Sequence, residues 1–380
     1  MSRHQEENSR SSVMIVFGTR PEAIKMAPLV VALKAQTQLE VTLCVTGQHR
    51  HMLDQVLALF DLKPDFDLDI MKDGQDLTDV TTAVLTGLRD LFIKYKPDRI
   101  FVHGDTNTSF SASLAAFYSG VAVSHVEAGL RTGNIYSPWP EEANRRLTSI
   151  IADKHYAPTQ QSKDNLLAEN VSEDAIRVTG NTVIDALQLI AGRLDKDTQF
   201  RDQLESEFSM LDSTKRLILV TGHRRENFGG GFEGICTALA HLSQRDDVQI
   251  IYPVHLNPNV SEPVNRILGS MDNIHLLKPL EYLPFVFLMS RCYLIISDSG
   301  GIQEEAPALG KPVLVMRDTT ERPEAVAAGT VRLVGTDSTA IVSAAAELLD
   351  NADAYKKMSI AANPYGTGDA CVKIIEDLIS

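Results

Sequence analysis

The chain lacks any run of about 18 consecutive apolar residues, the length that a membrane-spanning helix requires. Its first twelve residues, MSRHQEENSRSS, are polar, and no hydrophobic region of the kind found in secretory signals follows them. We therefore expect no membrane span and no signal peptide, and we predict that residues 1–12 form a disordered tail.

Cysteine and basic charge are also scarce. The four cysteines, Cys44, Cys236, Cys292 and Cys371, are far apart and form neither a C-x-x-C pair nor zinc-finger spacing, which indicates small core residues in a reducing, cytoplasmic setting. The 36 basic and 50 acidic residues give a formal net charge of -14. Binding to nucleic acid is therefore not expected, because it needs broad basic faces. A small anionic ligand is compatible with this charge if a few cations are concentrated locally.

The chain does contain a regular alternation of strand and helix patterns, which is typical of α/β proteins. Short apolar runs of the kind buried on both faces of a parallel sheet occur at residues 13–17, 41–45, 99–102, 121–123, 217–220, 249–252, 294–296 and 312–315. Helical periodicity occurs at residues 22–34, 76–94, 108–118, 232–242 and 301–309. The polar stretch 193–215 separates two such series, and 380 residues suffice for about two domains. We predict two Rossmann-like domains with a central cleft.

Four carboxylates follow predicted strands or open the next helix. Asp105 and Glu127 each come directly after a strand, and Glu141 and Glu142 begin a helical segment. Open α/β sheets bind ligands at the carboxyl ends of their strands. This concentration of ionisable groups therefore suggests proton-transfer chemistry.

Two further turns have the strand-turn-helix setting of phosphate sites. In GTRPE (18–22), the helix N-terminus offers free amides, and Arg20 and Lys25 add positive charge, although an ordinary capped turn explains the pattern equally well. In DSGG (298–301), small residues would let the backbone approach a diphosphate, and a carboxylate one turn later would accept hydrogen bonds from ribose. A ligand-binding role is therefore favoured over a purely structural one for this turn.

A third turn, TGHRREN (221–227), presents a histidine beside arginines. His223 would bind or protonate a leaving phosphate, while a structural role for it is equally compatible with the pattern. Arg317 and Arg322 could reach the same cleft.

Nicotinamide and metal sites are weakly supported. GGGFEG (229–234) matches G-x-G-x-x-G, but it does not directly follow a strand and no acidic residue ends the next one, so a flexible loop is the better interpretation. His103 with Asp105 and His125 with Glu127 have no third ligand at suitable spacing, and we expect no metal.

Ten segments, in order along residues 13–371, are together highly specific. They read FGTRPEAIKMAPLV (17–30), GQHRHMLDQVL (47–57), HGDT (103–106), HVEAGLRTG (125–133), SPWPEEANRR (137–146), GNTVIDAL (180–187), TGHRREN (221–227), YPVHLNPNV (252–260), SDSGGIQEEAP (297–307) and RDTTERPEAV (317–326). They resemble the non-hydrolysing UDP-N-acetylglucosamine 2-epimerases of bacteria.

The resemblance implies a glycosyltransferase-B-type fold. The N-terminal Rossmann-like domain would span residues 13–185 and the C-terminal, nucleotide-binding domain residues 186–361. A C-terminal helix within 362–380 would return to the first domain. A homodimer is expected.

The resemblance also implies reversible interconversion of UDP-N-acetylglucosamine and UDP-N-acetylmannosamine, without NAD or any other cofactor, through 2-acetamidoglucal. Two faces of C2 need two differently placed acid/base groups. The implied catalytic residues are Asp105, Glu127, Glu141 and His223. The implied binding residues are Arg20, Lys25, Ser299, Gly300, Gly301 and Arg322 for the diphosphate, Glu305 for ribose, and Phe285 and Leu280 for uracil.

Two positions qualify this assignment. Leu280 stands where some relatives have Gln, so only a backbone contact to uracil would survive there. Gln48 and His51, in GQHRHMLDQVL, match a segment that in some members touches a second, activating UDP-N-acetylglucosamine.

Three alternatives remain open. A hydrolysing epimerase would release free N-acetylmannosamine, but SPWPEEANRR and TGHRREN resemble the non-hydrolysing class. A UDP-sugar glycosyltransferase would need an apolar acceptor groove, and no exposed apolar segment suggests one. A nucleotide-sugar sensor without catalysis would not need Asp105, Glu127 and Glu141.

Overall fold

The computed structural model describes residues 10–48 and 50–380, except for the side chain of His51. The chain divides into two compact units. The first contains the described residues up to Ala186 together with Tyr365–Ser380, and the second is Leu187–Pro364. Each unit is built around one sheet.

The first unit contains a seven-stranded parallel sheet. Its strands are β1 (Ser11–Phe17), β2 (Leu39–Val45), β3 (Phe66–Asp67), β4 (Arg99–His103), β5 (Ala122–Val126), β6 (Lys154–Ala157) and β7 (Ile176–Val178). Its helices are α1 (Arg20–Lys34), α2 (Arg50–Leu59), α3 (Leu77–Lys94), α4 (Asn107–Tyr118), α5 (Glu141–Ile151), α6 (Gln160–Ala168) and the first residues of α7 (Thr182–Lys196), with a 3-10 turn at Glu173–Ala175. The strand order is β3-β2-β1-β4-β5-β6-β7.

The inner strand β1 shows why its residues 13–17 are all apolar. Ile15 and Phe17 pack with α1 and α2, whereas Met14 and Val16 pack with α3 and α4 on the opposite face. Successive side chains of a strand point to opposite faces, so a strand covered on both sides needs an unbroken apolar run.

The second unit repeats this plan with six parallel strands. Its elements are α8 (Thr198–Glu207), β8 (Arg216–Thr221), α9 (Gly230–Leu242), β9 (Val248–Pro253), α10 (Pro258–Leu268), β10 (Ile274–Leu277), α11 (Tyr282–Arg291), β11 (Leu294–Ser297), α12 (Gly300–Ala308), β12 (Val313–Val315), α13 (Pro323–Ala328), β13 (Val331–Leu333), α14 (Ser338–Asp350) and α15 (Ala352–Ser359), with a 3-10 turn at Arg225–Asn227. The strand order is β10-β9-β8-β11-β12-β13. The prediction of an α/β fold with two Rossmann-like domains is confirmed.

The last helix, α16 (Ala370–Ile379), belongs to the first unit. Ile374 and Ile375 lie in the same apolar core as α1. The Asp185 carboxylate accepts a hydrogen bond of 2.9 Å from the backbone N–H of Cys371. The end of the chain is therefore fixed to this unit by both apolar packing and a buried carboxylate.

Several expectations about local structure need correction. Ser11 and Ser12 are not part of a tail, because they begin β1 and the Ser12 backbone N–H donates a hydrogen bond to Asp98 at 2.8 Å. Residues 1–9 of the predicted tail lie outside the described part of the chain. The polar stretch 193–215 contains the end of α7 and all of α8, so it is largely helical. GGGFEG is not a flexible loop, because α9 begins at Gly230.

All four cysteines are buried and free of disulfide bonds. Burial raises the pKa of the Cys44, Cys236 and Cys292 thiols to about 12. Among the described residues, no helix combines the length and the apolar character needed to cross a membrane.

Candidate active site

Glu127 is constrained by both its backbone conformation and its side-chain partners. It follows β5 with φ at 61°, a left-handed conformation that costs a non-glycine residue about 1–3 kcal/mol and clusters at functional sites. Its buried Oε1 accepts a hydrogen bond of 2.8 Å from Asn181 Nδ2 and forms an ion pair with Lys25. Its Oε2 lies 3.7 Å from His103 Nε2. The carboxylate is thus held by side chains from two separate segments of the first unit, and His103 lies beside it.

Asp105 follows the neighbouring strand β4. Its Oδ2 accepts a hydrogen bond of 3.1 Å from Arg145 Nε and a second from Nη2 of the same guanidinium. The Asp105 carbonyl accepts a further hydrogen bond of 3.0 Å from Asn144 Nδ2. Burial raises the pKa of Asp105 above its usual value, and the Arg145 charge opposes this effect. Sequence reasoning did not identify Arg145, although SPWPEEANRR contains it.

The adjacent Glu141 and Glu142 have different environments. Glu142 is fully buried and accepts hydrogen bonds from the Thr132 N–H at 3.1 Å, the Gly133 N–H at 3.4 Å and Arg145 Nη1 at 3.2 Å. Glu141 has a buried Oε2 without a hydrogen-bond partner among the described residues. A buried carboxylate oxygen without a donor is costly unless a ligand supplies one. Glu141 therefore keeps one carboxylate oxygen without a donor among the described residues, whereas Glu142 holds the loop before α5.

The turn before α1 does not offer the free amides that its sequence suggested. Thr19 and Glu22 form a capping box in which Glu22 Oε2 accepts hydrogen bonds from the Gly18 N–H at 3.1 Å and the Thr19 N–H at 2.8 Å. Glu22 Oε1 accepts another at 2.6 Å from the Thr106 hydroxyl. A buried carboxylate therefore occupies the place predicted for a phosphate, and the expectation of free amides there is wrong. The capping-box pattern T-x-x-E was the signal for this in the sequence.

The other predicted site residues of the first unit lie on α1, before α2 and on α2. Arg20 is partly buried at the start of α1. Lys25, one and a half turns further on, contacts Glu127. Gln48 is partly buried, and its Oε1 accepts a hydrogen bond of 3.2 Å from the Thr108 hydroxyl. His51 lies in α2, and its side chain is outside the described part of the structure.

In the second unit, Asp298 organises the turn that contains His223. Asp298 is fully buried, and its Oδ2 accepts hydrogen bonds of 2.9 Å from the backbone N–H groups of both His223 and Arg224 and of 3.2 Å from Asn227 Nδ2. The exposed His223 ring stacks on His255, with Nδ1 3.6 Å from Asp298 Oδ1. Partial burial lowers the pKa of His223, and Asp298 opposes this effect.

The glycine-rich turn beside it begins α12, and Ser299 is the N-cap residue. A Cβ atom on Gly300 or Gly301 would find only ordinary contacts, at 3.8 Å from Arg224 and 3.9 Å from Ser299. Packing within the chain therefore does not require either glycine, whereas close approach of a ligand would. By contrast, a Cβ on Gly234 of the GGGFEG segment would lie 2.4 Å from the Thr336 carbonyl oxygen, so packing alone explains that glycine.

The other predicted binding residues lie on α11, α12 and the turn before α13. Glu305 is buried in α12, whereas Leu280 and Phe285 are partly buried. Arg322 forms an ion pair with the buried Glu304. Arg317 is paired instead with Glu226 and Glu321. In the described part of the chain, no group of three His, Cys, Asp or Glu side chains is arranged to hold a metal ion.

Comparison with known proteins agrees with this architecture. The family model described as UDP-N-acetylglucosamine 2-epimerase matches residues 31–379. UDP-N-acetylglucosamine 2-epimerase of Yersinia pestis is 61% identical over 367 residues, which cover 96% of this chain and 98% of that protein. The enzyme of the same name from Escherichia coli (strain K12) is 59% identical over 367 residues, with the same coverage of both chains.

Solved structures agree as well. The crystal structure of UDP-GlcNAc 2-epimerase from Neisseria meningitidis bound to UDP-GlcNAc has a TM-score of 0.90 and 52% identity, covering 97% of this chain and 99% of that one. A putative UDP-N-acetylglucosamine 2-epimerase from Listeria monocytogenes has a TM-score of 0.88 and 48% identity, covering 97% and 96%. The family that the ten sequence segments resemble is confirmed: this chain belongs to the UDP-N-acetylglucosamine 2-epimerase family.

Proposed function

We propose that this chain interconverts UDP-N-acetylglucosamine and UDP-N-acetylmannosamine by anti elimination of UDP and its re-addition, without releasing free sugar. The observation that carries the proposal is the pair Asp105 and Glu127, two carboxylates at the ends of adjacent strands with different partners. The names of the relatives support the overall reaction, and the bound ligand of the Neisseria meningitidis protein supports the substrate.

The chemistry of the substrate explains why carboxylates are needed. The hydrogen on C2 lies beside an acetamido nitrogen, so no neighbouring carbonyl makes it acidic. Stretching of the bond between C1 and the UDP oxygen places positive charge on C1 and acidifies that hydrogen. A carboxylate then takes the proton, the C2–H electron pair becomes the C1=C2 double bond of 2-acetamidoglucal, and the C1–O electron pair leaves with UDP.

Re-addition reverses these steps on the other face. A second carboxyl group delivers a proton to the opposite face of C2, and the UDP oxygen bonds to C1 again. Two acid/base groups are needed because one group cannot reach both faces of a single carbon. Asp105, Glu127 and Glu141 are the proposed proton carriers.

The roles of individual residues in nucleotide binding are also proposals. Ser299, Gly300, Gly301, Arg322 and Arg20 are assigned to the diphosphate, with His223 beside it. Glu305 is assigned to ribose, Phe285 to the face of uracil, and Leu280 to a backbone contact with it. The ion pair between Lys25 and Glu127 favours a role at that carboxylate over the diphosphate role that the resemblance implies.

Proton NMR of the purified protein with UDP-N-acetylglucosamine in D2O tests the proposal. We expect UDP-N-acetylmannosamine with deuterium at C2. In a second experiment, the substrate carries oxygen-18 in the C1 bridging position, and we expect this label to scramble into the non-bridging positions of the diphosphate. Free N-acetylmannosamine would indicate a hydrolysing epimerase, and an unchanged substrate a transferase that lacks its acceptor. Product without deuterium and with an unscrambled bridge would exclude elimination and re-addition.

Gln48 and His51 are proposed to contact a second UDP-N-acetylglucosamine that activates the enzyme. Gln48 is partly buried and accepts a hydrogen bond from the Thr108 hydroxyl. Thr108 lies in the first turn of α4, three residues after Asp105 in the sequence. Sigmoidal dependence of rate on this substrate is expected, and Gln48→Ala should make it closer to hyperbolic. Hyperbolic kinetics of the unmodified enzyme in both directions would remove the idea.

A further inference from the structure

Three buried histidines on adjacent strands have no part in the chemistry described so far. They are His103 at the end of β4, His125 in β5 and His155 in β6. Each has one ring nitrogen without a hydrogen-bond partner among the described residues. Buried polar atoms in folded proteins are nearly always bonded, so each of these nitrogens needs an explanation.

His103 differs from the other two in what lies beside its unbonded nitrogen. Its Nε2 is 3.7 Å from Glu127 Oε2, and the side chain is only 4% exposed. The unbonded nitrogen of both His125 and His155 is Nδ1. The His125 Nε2 contacts the Gly104 carbonyl oxygen at 2.7 Å.

The two oxygens of Glu127 are held differently. Oε1 receives the Lys25 ammonium and the Asn181 amide, whereas Oε2 is the oxygen nearest His103. A distance of 3.7 Å is too long for a hydrogen bond, but a shift of about 0.5–1 Å would bring it into the normal range. Catalytic hydrogen bonds are often long in free enzymes and shorten in the substrate complex.

We propose that His103 is a positioning residue of the epimerisation, which bonds Oε2 of Glu127 through Nε2 and orients this carboxylate toward the C2 hydrogen of the substrate. This inference rests on the proposed function, because it assigns proton transfer to Glu127. His103 acts through Glu127 and does not itself touch the reacting carbon.

The charge state of His103 suits this role. Burial lowers the pKa of His103 to about 4, Glu127 opposes the shift and Lys25 reinforces it, so the ring is neutral at neutral pH. The other charged or titratable groups near this pair are Asp105, which interacts with Glu127, and His125 from β5. A neutral imidazole nitrogen is a donor in one tautomer and an acceptor in the other. In the tautomer with hydrogen on Nε2, the ring can donate to Oε2 of the Glu127 carboxylate, and after the C2 proton has arrived it can donate to the oxygen of the carboxylic acid that carries no proton.

Three variants test the inference: His103→Leu, His103→Gln and, as the control, His155→Leu. Gln places an amide group near the position of Nε2, whereas Leu keeps bulk without polarity. His155 is a second buried histidine on the same sheet, so its replacement by Leu repeats the loss of a buried ring. The readouts are kcat, KM, UDP affinity and the ratio of kcat for protio and C2-deuterated UDP-N-acetylglucosamine.

We expect His103→Leu to lower kcat about 10- to 100-fold, since misplacing a reacting group by about 1 Å has an effect of this order, with KM and UDP affinity within about two-fold. The deuterium isotope effect should rise, because proton transfer becomes slower than the other steps. His103→Gln should recover most of kcat and the normal isotope effect. His155→Leu should leave kcat and the isotope effect unchanged.

Unchanged kcat and isotope effect in folded His103→Leu, or the same changes in His155→Leu, would overturn the inference. If His103→Leu does not fold, His103→Asn replaces it, because Asn places its amide near Nδ1 and away from Glu127. Asn should then behave as expected for Leu, and equal activity of the Asn and Gln variants would also overturn the inference. Deuterium incorporation at C2 by the unmodified enzyme separates the two proposals. If no deuterium is incorporated, the proposed function is contradicted. If deuterium is incorporated but the His103 variants are unaffected, only the inference about His103 is contradicted.

Discussion

The Lys25 ammonium forms an ion pair with Oε1 of Glu127, across 102 residues of sequence. Lys25 belongs to α1 and Glu127 follows β5, so the contact joins the first helix to the proposed proton-transfer group. The pair is nearly buried, and a positive charge at this distance stabilises the ionised carboxylate. This relationship makes the role of Lys25 testable.

Lys25→Met should lower kcat about tenfold or more, because Glu127 loses the cation that stabilises its charged form. UDP affinity, measured by calorimetry, should remain within about two-fold if Lys25 acts on Glu127 and not on the diphosphate. Arg20→Met is the matched comparison, for which UDP affinity should fall. Equal losses of UDP affinity in the two variants would instead support a role of Lys25 in binding the diphosphate.

Glu127→Gln and Asp105→Asn should each reduce turnover by about 10²–10⁴-fold, the contribution typical of a general acid or base. Both changes preserve the shape of the side chain, so UDP affinity should stay within a few-fold. Steady-state kinetics and UDP titration of the same preparations provide the measurement. A loss of UDP binding as large as the loss of turnover would mean that these are binding residues.

The neighbouring glutamates of α5 provide a matched pair. Glu141→Gln should abolish most activity with little change in melting temperature, because one of its carboxylate oxygens has no partner among the described residues. Glu142→Gln should lower stability by about 1–3 kcal/mol, because it leaves buried donors of Thr132, Gly133 and Arg145 imperfectly bonded. Thermal unfolding and kinetics of the two variants distinguish these outcomes, and the opposite pattern would reverse the assignment.

Stability should decrease as the pH falls from about 6.5 toward 4. Burial lowers the pKa values of His103, His125 and His155 to about 4, 3 and 4, from an ordinary value of 6.5. Between these values the unfolded chain binds protons that the folded chain does not. Each histidine therefore contributes a loss of up to about 1.4 kcal/mol per pH unit.

Chemical denaturation at several pH values measures this slope. Burial raises the pKa values of Glu22 and Asp105, which acts in the opposite direction by favouring proton uptake in the folded state. Comparison with His155→Leu isolates one histidine, and its stability should depend less steeply on pH. Identical slopes for the two proteins would show that His155 is not buried in its neutral form.

Exposed apolar side chains on three neighbouring helices of the first unit provide a test of the expected homodimer. Helix α4 packs against both α3 and α5, and the exposed side chains are Ile93 on α3, Phe117 and Tyr118 on α4, and Leu147 and Ile150 on α5. Helix α4 contains no charged residue, although the chain has a net charge of -14. Exposed apolar patches of this kind commonly mark protein interfaces.

We expect Ile150→Asp to shift the molar mass in light scattering from dimer to monomer. Ile360→Asp is the control, because Ile360 is 71% exposed but belongs to the second unit. A dimer that survives Ile150→Asp would place the interface elsewhere, and a monomeric unmodified protein would remove the expectation of a dimer.

Much of the fold could be predicted because its signals are local. The eight predicted apolar runs, such as residues 13–17, all overlap strands of the structure, whereas the short strands β3, β6, β7, β10 and β13 were not predicted. Asp105 and Glu127 could be recognised for the same reason, since each directly follows such a run and neighbouring parallel strands end at the same edge of a sheet.

The partners of these carboxylates could not be predicted in this way. Arg145 reaches Asp105 across 40 residues, and Asn181 reaches Glu127 across 54. No periodicity in the sequence encodes such distances, because each contact depends on which helix packs beside which strand.

Sequence by itself determined the α/β class, eight of the thirteen strands in the described part of the chain, the family and the positions of the candidate carboxylates. These could be predicted because strand and helix patterns and short motifs are properties of neighbouring residues. Tertiary structure alone decided that Glu142 is buried and bonded whereas Glu141 keeps a carboxylate oxygen unbonded. It also decided that Glu22 occupies the amides before α1 and that Lys25 neutralises Glu127. The physical reason is that burial and hydrogen bonding depend on side chains brought together by folding, and two identical adjacent residues can therefore acquire different chemistry.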